Sequence, residues 1–475
     1  MRKRIVPAIL SLTVAATFAG CSLAPDYVRP APPVAAQWPG GAQPEGTRHA
    51  GELDMESFYP DPRLRALIGI ALTNNRDLRI STARVTEAQA LYGIQRADRL
   101  PTVGLGVDRS AALTPADLSM TGRPLSSQRF DVNLGIAAFE LDFWGRVKNL
   151  SAAALASYLA TEDARSAFRL SLISDVADAY LSTQELDERA ALARDTVTTR
   201  QEFRDLVARR REVGIASDLD YLTAEGSLQS ARAELASLER QRSASDNYLR
   251  LLVGGAPTDL PPGRRLSEQG IVPDLAADLP ADVLLRRPDI SAAERQLIAA
   301  NANIGAARAA FFPRITLTGV FGSSSAALSG LFKSGSEAWS FQPALSLPLF
   351  DFGRTSANVD LAQARKVIAV AQYEKAIQQA FREIADLLVA RDKLKAQLDS
   401  QEAAERAQNE RLRLTDARYK GGVASYLELL DAQRDSFTAQ QATVQVRRQL
   451  LSAYNQLYKA LGGGPETAAV ASANQ

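Results

Sequence analysis

Residues 145 to 212 read GRVKNLSAAALASYLATEDARSAFRLSLISDVADAYLSTQELDERAALARDTVTTRQEFRDLVARRRE. The run contains no proline and, after its first residue, no glycine, which are the residues that interrupt helices most strongly. Alanine, leucine, glutamate, arginine and glutamine recur in it at helical spacing. Such a helix would extend for on the order of 100 Å at roughly 1.5 Å per residue, whereas helices of globular domains are far shorter. The stretch therefore predicts a long rod, and its many alanines would allow close packing against two neighbouring helices.

The same plan occurs twice in the chain. Residues 353 to 420 form a second run without proline or internal glycine. Matching positions repeat at a lag of 208 residues: Gly145 with Gly353, Asp178 with Asp386, and Ser217 with Ser425. Upstream, Pro101 matches Pro313 at a lag of 212 residues. The segment from Pro101 to Gly145 therefore differs in length from the segment from Pro313 to Gly353. A change of length there indicates a surface loop.

The duplication divides the chain into predicted segments. After a leader and a tether we expect a first repeat over residues 62–260 and a second repeat over residues 281–463. A linker over 261–280 joins the two repeats, and a flexible tail follows over 464–475. Each repeat should begin with a helix and continue through a β-hairpin, the long helix, a glycine turn and a third helix. The first helices are predicted over 62–99 and 281–311, and the hairpins over about 101–142 and 313–351. The helices alone would also fit a soluble coiled coil or helical bundle.

Apolar and polar residues alternate in both predicted hairpins. This period of two, over about ten residues per strand, is typical of the wall of a membrane β-barrel. The apolar positions are Val103, Leu105, Val107, Phe130, Val132, Leu134, Ile136, Ile315, Leu317, Phe341, Pro343, Leu345 and Leu347. Pro343 weakens the pattern locally, because proline cannot donate to the ladder. A small sandwich inside a soluble protein is the alternative interpretation.

Four strands cannot close a barrel, and the open edge of a sheet cannot face lipid because its backbone groups would be unsatisfied. Strands from several chains must therefore combine, and three chains would close both a ring of strands and a ring of helices. We predict a mostly α fold with a β membrane part. In it, a long α-helical barrel continues a transmembrane β-barrel that is shared by a trimer and is internally duplicated.

The N-terminus predicts secretion and lipidation. Residues 2–4 are basic, residues 5–18 are mostly apolar, and small residues precede Cys21, the only cysteine in the chain. This pattern indicates a signal peptide over 1–20. Residues 18–21 resemble a bacterial lipobox, which implies acylation of Cys21, for example by palmitate, rather than a stray cysteine near a cleavage site. Ser22 after the cysteine resembles the sorting signal of lipoproteins of the outer membrane. A sole cysteine excludes a disulfide within the chain. Residues 21–61 are rich in proline and alanine and predict a lipidated, extended tether, with ordered structure starting near Pro62.

Composition argues against several classes of function. The formal charge of +1 becomes −2 without the three basic residues of the leader, since 52 basic residues then stand against 54 acidic ones. No concentrated basic face indicates a nucleic-acid binder. His49 is the only histidine, so Ser-His or Cys-His catalysis and an ordinary zinc site are not expected. A hydrolase with two carboxylates would need a cleft, which long rods do not suggest. We expect no enzymatic activity, no cofactor and no metal.

Several motifs resemble the outer-membrane factor family, the TolC-like efflux proteins, and in particular its lipoprotein branch found with resistance-nodulation-division (RND) pumps. The resemblance covers nearly all of the mature chain. The motifs are LAPDY at 23–27, FELD at 139–142 with GR at 145–146, LPLFD at 347–351 with GR at 353–354, LLDAQR at 429–434 and LYKALGGG at 457–464.

The resemblance implies a homotrimeric channel, lipid-anchored in the outer membrane and extending into the periplasm. Its partners would be a periplasmic adaptor protein, an inner-membrane RND-type pump and outer-membrane lipid. It would be a passive conduit for small molecules such as drugs and would contribute to multidrug resistance. The alternatives are the outer-membrane channel of a type I protein secretion system, or a periplasmic adaptor, although adaptors resemble a single hairpin flanked by lipoyl and barrel halves.

The resemblance also implies a periplasmic gate where the long helices end. The gate residues would be Arg418, Tyr419, Leu427 and Asp431 in the second repeat, and Asp218 and Asp220 at the equivalent tip of the first. Charge pairs and hydrogen bonds would hold the tips together, with Leu427 as an apolar plug. The turn surfaces offered to the adaptor would be Val213, Gly214, Ile215, Gly422 and Val423.

Helix capping is the competing interpretation of the acidic tip residues. Ser217 and Ser425 are each followed three positions later by an acid, which is the pattern of a capping box. We therefore assign Asp220 and Glu428 to caps. Asp431 lies beyond the first turn of its helix, where capping does not explain it, and is the stronger gate candidate.

Overall fold

The computed structural model describes residues 22–38, 48–49, 53–273, 275–276 and 287–464. Its helices are α1 (Met55–Phe58), α2 (Pro62–Asn74), α3 (Arg76–Ala97), α4 (Arg146–Glu212), α5 (Asp218–Val253), α6 (Pro288–Ala309), α7 (Arg354–Lys420) and α8 (Tyr426–Ala460). Its strands are β1 (Arg48–His49), β2 (Val103–Thr114), β3 (Leu125–Glu140), β4 (Leu275–Ala276), β5 (Arg314–Ser325) and β6 (Glu337–Ser346). Cys21 and the expected leader and tail lie outside the described residues. The two predicted rods are confirmed, since α4 and α7 each contain 67 residues.

No helix among the described residues combines the length and the apolar character that a membrane-spanning helix needs.

The chain folds into two compact units, and each contains segments of both repeats. The first unit comprises residues 22–31, 84–162 and 292–373 of the described chain. Its long strands form an antiparallel sheet in the order β2-β3-β5-β6. Leu134 of β3 lies between Leu105 of β2 and Phe321 of β5, and all three side chains are more than half exposed. The strands predicted from the alternating pattern are confirmed.

Pro343 lies in β6, which pairs only with β5 among the described strands. Proline is tolerated in a strand at the end of a sheet because its missing N–H need not break a ladder on both sides. The proline that weakened the prediction therefore fits its place in the sheet.

The N-terminal segment of the first unit packs on α4 and α6. It makes these hydrogen bonds: Ser22 Oγ to Asn149 Oδ1 (2.8 Å), Asn301 Nδ2 to the Pro25 carbonyl (2.7 Å), Tyr27 hydroxyl to Glu294 (2.9 Å) and Arg29 Nε to Glu294 (2.6 Å). Gly305 of α6 leaves room for this segment, since a Cβ there would lie 2.6 Å from the backbone nitrogen of Ala24. The segment predicted to be a tether is thus extended but attached.

The second unit comprises residues 32–38, 48–49, 53–83, 163–273, 275–276, 287–291 and 374–464 of the described chain. Its core joins α2, α4 and α8 through fully buried side chains such as Leu64, Val176 and Leu457. Such burial contributes roughly 1.5–3 kcal/mol for each large aliphatic side chain.

Ordered packing begins before Pro62, so the expected start of the structure is wrong. Phe58 and Tyr59 are fully buried, and the Tyr59 hydroxyl donates to Asn455 at 2.5 Å. Trp38 is also buried and stacks on Phe381 with ring centroids 4.9 Å apart. A few aromatic residues in a segment rich in proline and alanine are enough to fix it, and a composition average does not detect them.

The helix predicted over 62–99 is two helices, because the chain leaves helical geometry at Asn75. Its side chain donates to the Leu252 carbonyl at 2.8 Å and accepts from the Leu78 amide at 2.9 Å, so it caps α3 and binds the end of α5. Asparagine is a favoured N-cap residue. Of the helix predicted over 281–311, residues 281–286 lie outside the described residues, and α6 begins at Pro288.

Candidate functional site: the helix tips

The two long helices of the second unit end in turns of the same geometry. Gly214 and Gly422 both have positive φ angles, of 74° and 77°, which glycine adopts without strain. The amide of Ile215 bonds to the Arg210 carbonyl at 2.8 Å. In the second copy the amide of Val423 bonds to the Arg418 carbonyl at 2.9 Å. The predicted glycine turns are confirmed.

The helices after the turns begin with capping boxes. Ser217 Oγ accepts from the Asp220 amide at 3.1 Å, and the Asp220 carboxylate accepts from the Ser217 amide at 3.0 Å. Ser425 and Glu428 make the same two bonds, each at 3.2 Å. Hydrogen bonds from Ser217 hold the pKa of Asp220 below its usual range. The assignment of Asp220 and Glu428 to caps is confirmed.

Apolar side chains at both turns point into solvent. Val213, Ile215 and Val423 are each about 70% exposed or more. Leu427, predicted as the plug, is 62% exposed in the first turn of α8. The predicted plug residue and the apolar residues predicted to meet the adaptor are therefore accessible within one chain.

Within one chain, the charged residues predicted for the gate have partners other than one another. Arg418 approaches Glu428 at 3.9 Å, and Asp431 approaches Arg434 at 3.4 Å. No ion pair joins Asp431 to Arg418 within the described part of the chain. Asp218 lies 3.5 Å from Arg211, across the other turn. All of these side chains are substantially exposed, so each pair contributes only about 0–1 kcal/mol.

Tyr419 belongs to an aromatic contact that sequence reasoning missed. Its ring lies near Phe203 of α4 with centroids 6.0 Å apart, and its hydroxyl accepts from Arg210 at 3.5 Å. Phe203 stacks directly on Tyr426, the first residue of α8, with centroids 3.8 Å apart and planes at 7°. Burial raises the pKa of Tyr426 to about 12.

The duplication does not repeat this contact. At the lag of 208 residues, Phe203 corresponds to Arg411 and Tyr426 corresponds to Asp218. The aromatic pair is therefore confined to one copy, but the two long helices differ at most aligned positions, so the sequence alone does not single it out.

A groove of about 570 Å³ lies beside this contact, between α5 and α8. Its walls include Leu427, Leu430 and Asp431 from α8 and Ser227 from α5. On its floor, Arg200 of α4 donates to the Ser227 carbonyl at 3.0 Å and to the Ser227 hydroxyl at 2.6 Å. Burial lowers the pKa of Arg200.

Comparisons with known proteins agree with this architecture. The family model described as outer membrane efflux protein matches residues 67–255 and 279–463. The outer membrane protein OprJ of Pseudomonas aeruginosa is 45% identical over 460 residues, which cover 96% of this chain and 95% of OprJ. The toluene efflux pump outer membrane protein TtgF of Pseudomonas putida is 43% identical over 466 residues, which cover 96% of each chain. The solved open state of the Neisseria gonorrhoeae MtrE outer membrane channel has a TM-score of 0.86 and 39% identity, and the match covers 94% of this chain and 99% of MtrE.

Proposed function

This chain belongs to the outer membrane efflux protein family, and we propose that three copies form the exit channel of a tripartite pump, together with a periplasmic adaptor and an RND-type inner-membrane pump. The channel lies in the outer membrane and serves efflux, as do its relatives. In this proposal it is a conduit without enzymatic activity.

The main support for a trimer is the four-stranded sheet. Among the described strands, β2 and β6 each pair on one side only, and large apolar side chains are exposed along all four strands. Strand edges with free backbone groups are costly in lipid. Pairing β6 of one copy with β2 of the next would satisfy the free backbone groups of both edges, apart from the donor that Pro343 lacks, and would close the ring.

The cargo follows from the relatives by analogy. Similar proteins are named for the efflux of toluene, solvents and antibiotics. We therefore infer small organic molecules rather than secreted proteins as the cargo. The solved channels that resemble this chain favour a channel over a periplasmic adaptor.

The gate at the helix tips is part of the proposal. Within one chain, Asp431 and Arg418 have partners other than each other, so a lock between them would have to join neighbouring copies. Leu427 would then close the bore as an apolar plug. Asp218 and Asp220 would contribute at the alternate tips, Asp220 mainly through its cap.

The adaptor would meet the turns. Val213, Ile215 and Val423 are exposed apolar residues, and Gly214 and Gly422 keep both turns compact. The same backbone geometry in both copies offers a partner two similar contacts from each chain.

A lipid on Cys21 would add an anchor to the strands. Cys21 directly precedes Ser22, whose hydroxyl bonds to Asn149 in the first turn of α4. Acyl chains would therefore emerge beside the start of that helix.

Expression in a bacterium that lacks its own outer-membrane channel tests the proposal. Together with an RND pump and its adaptor, this chain should restore tolerance to toluene and to antibiotics. The purified protein should be a trimer by native mass spectrometry in detergent. A folded monomer, or restored secretion of a protein through an ATP-driven exporter without restored tolerance, would contradict it.

A further inference from the structure

The end of α4 contacts all three other helices at the tips. Arg200 donates to Ser227 of α5, Phe203 stacks on Tyr426 of α8, and Arg210 donates to Tyr419 of α7. The stack is the closest of these contacts to the start of α8, because Tyr426 directly follows the N-cap Ser425. A displacement of the turn between α7 and α8 away from α4 must therefore separate these two rings.

The charged contacts at the tips are weaker candidates for holding the turn. The pair of Arg418 and Glu428 is 3.9 Å long, and both side chains are more than half exposed. Exposed pairs of this kind contribute little and are screened by salt. A stacked aromatic pair is held by apolar burial and dispersion, which salt does not screen.

The groove beside α8 gives this helix room to move. On one side the start of α8 packs on Phe203, and on the other Leu427, Leu430 and Asp431 face about 570 Å³ of space before α5. Close-packed interiors resist such displacement, but an open groove does not. The stack is thus the contact that holds the first turn of α8 against α4.

We propose that Phe203 is a positioning residue of the gate, an aromatic latch that holds Tyr426, and with it the turn between α7 and α8, against α4. The inference rests on the proposed gate at the helix tips. Opening then requires separation of the two rings. The latch acts within one chain and does not depend on ionic strength.

Closed-state conductance of purified trimers in planar bilayers, at low and at high KCl concentration, tests the latch. Phe203→Ala should raise conductance roughly threefold to tenfold, as expected when one aromatic pair is lost. The ratio to the parent should be the same at both salt concentrations. Phe203→Trp should restore the parent value because it retains a stacking ring. In contrast, the double variant Arg418→Ser with Asp431→Ala should exceed the conductance of the parent by less at high salt than at low salt. High salt screens the ion pairs of the parent, so the parent itself then loses part of what the variant lacks.

Phe437→Ala is the matched control. Phe437, like Tyr426, is an aromatic residue of α8. It lines the groove between α5 and α8 and packs beside Leu238, so it takes no part in the stack. Its truncation removes similar apolar area and should leave conductance unchanged. If Phe203→Ala conducts like the parent while the charge variant leaks, the latch is refuted and the channel function stands. If no trimer of any variant conducts, including the charge variant, the proposed gate fails and the latch with it.

A reversible cross-link covers the case in which Phe203→Ala does not assemble. The double variant Phe203→Cys with Tyr426→Cys can be joined by a bifunctional methanethiosulfonate reagent. Cross-linking should abolish efflux in cells, and reduction should restore it. Undiminished efflux from fully cross-linked protein would refute the latch.

Discussion

The hydroxyl of Tyr180 donates a hydrogen bond of 2.7 Å to the carboxylate of Asp61, a residue 119 positions earlier in the chain. Asp61 is fully buried and also accepts from the side chain of Gln269 at 3.0 Å and from the amide of Arg264 at 3.1 Å. It caps α2 through the amide of Arg63 as well. One carboxylate thus joins α2, α4 and the segment that connects the two repeats.

Asp61→Ala should destabilise the protein by about 3 kcal/mol, because it removes an N-cap and leaves buried donors without an acceptor. Tyr180→Phe removes a single donor and should cost only about 1 kcal/mol. Thermal unfolding of the purified protein in detergent, followed by circular dichroism, measures both. Equal effects of the two variants would mean that the carboxylate does not organise the cluster.

The proposed gate predicts an ion leak when the charges of Arg418 and Asp431 are removed. Arg418→Ser and Asp431→Ala should each raise closed-state conductance slightly, since exposed pairs contribute about 0–1 kcal/mol, and together they should raise it more. Planar-bilayer recordings test this, with trimer retention as the check on folding. A trimeric double variant that conducts no better than its parent would mean that these residues only stabilise helix ends.

The cap of α5 should respond to pH. Hydrogen bonds from Ser217 lower the pKa of Asp220, so the cap stabilises the folded tip at neutral pH and is lost as the pH falls through that lowered pKa. Hydrogen exchange of the first turn of α5, corrected for intrinsic rates, should show this loss of protection in acid. Ser217→Ala should already be poorly protected at neutral pH. In the Ser217→Ala variant, the first turn of α8 should keep its protection because its cap, Ser425, is intact, and it serves as the internal control.

The attachment of the N-terminal segment depends on Gly305. A side chain there would meet the backbone of Ala24 at 2.6 and 2.8 Å, as well as the amide of Asn149. Gly305→Val should therefore release residues 22–29 and make them accessible to proteases. Gly226→Ala is the control, because it adds a methyl group to another helix where no atom lies within 4 Å. Retained protection in Gly305→Val would show that the segment can be accommodated in another way.

Cys21 should carry acyl chains in the mature protein. Mass spectrometry of the N-terminal peptide should find them on this residue, and a mature N-terminus elsewhere would refute lipidation. Cys21→Ser with a cleavable signal should still reach the outer membrane in part, because the strands also insert. A wholly soluble variant would count against insertion by the strands.

Local pattern was enough to predict the regular elements. The run from 146 to 212 contains no residue that breaks a helix, and Phe130 to Ile136 alternate with polar residues, so the periods of helix and strand are legible in the sequence. The capping boxes at Ser217 and Ser425 were equally local, since both partners lie within one turn.

Contacts between distant segments were not predictable in this way. Asn75 ends a helix partly because Leu252 offers it an acceptor, and Tyr59 is ordered by Asn455. Phe203 has the sequence context of any apolar residue on a long helix, and only its neighbour Tyr426 makes it part of the candidate site. Such partners are separated by many residues, and no periodicity reports them.

The ring stack occurs in only one copy of the duplicated plan, because Arg411 and Asp218 occupy the corresponding positions of the other. The corresponding positions beside the turn between α4 and α5 lack this stack, so the proposed latch concerns the turn between α7 and α8 alone. Under the proposed latch, natural selection could adjust the opening of the tips through one copy of the hairpin without a matching change in the other copy. In a complex of two different subunits, one subunit can change while the other does not. The duplication within this chain would allow the same independence between its two hairpins, although a single gene encodes both.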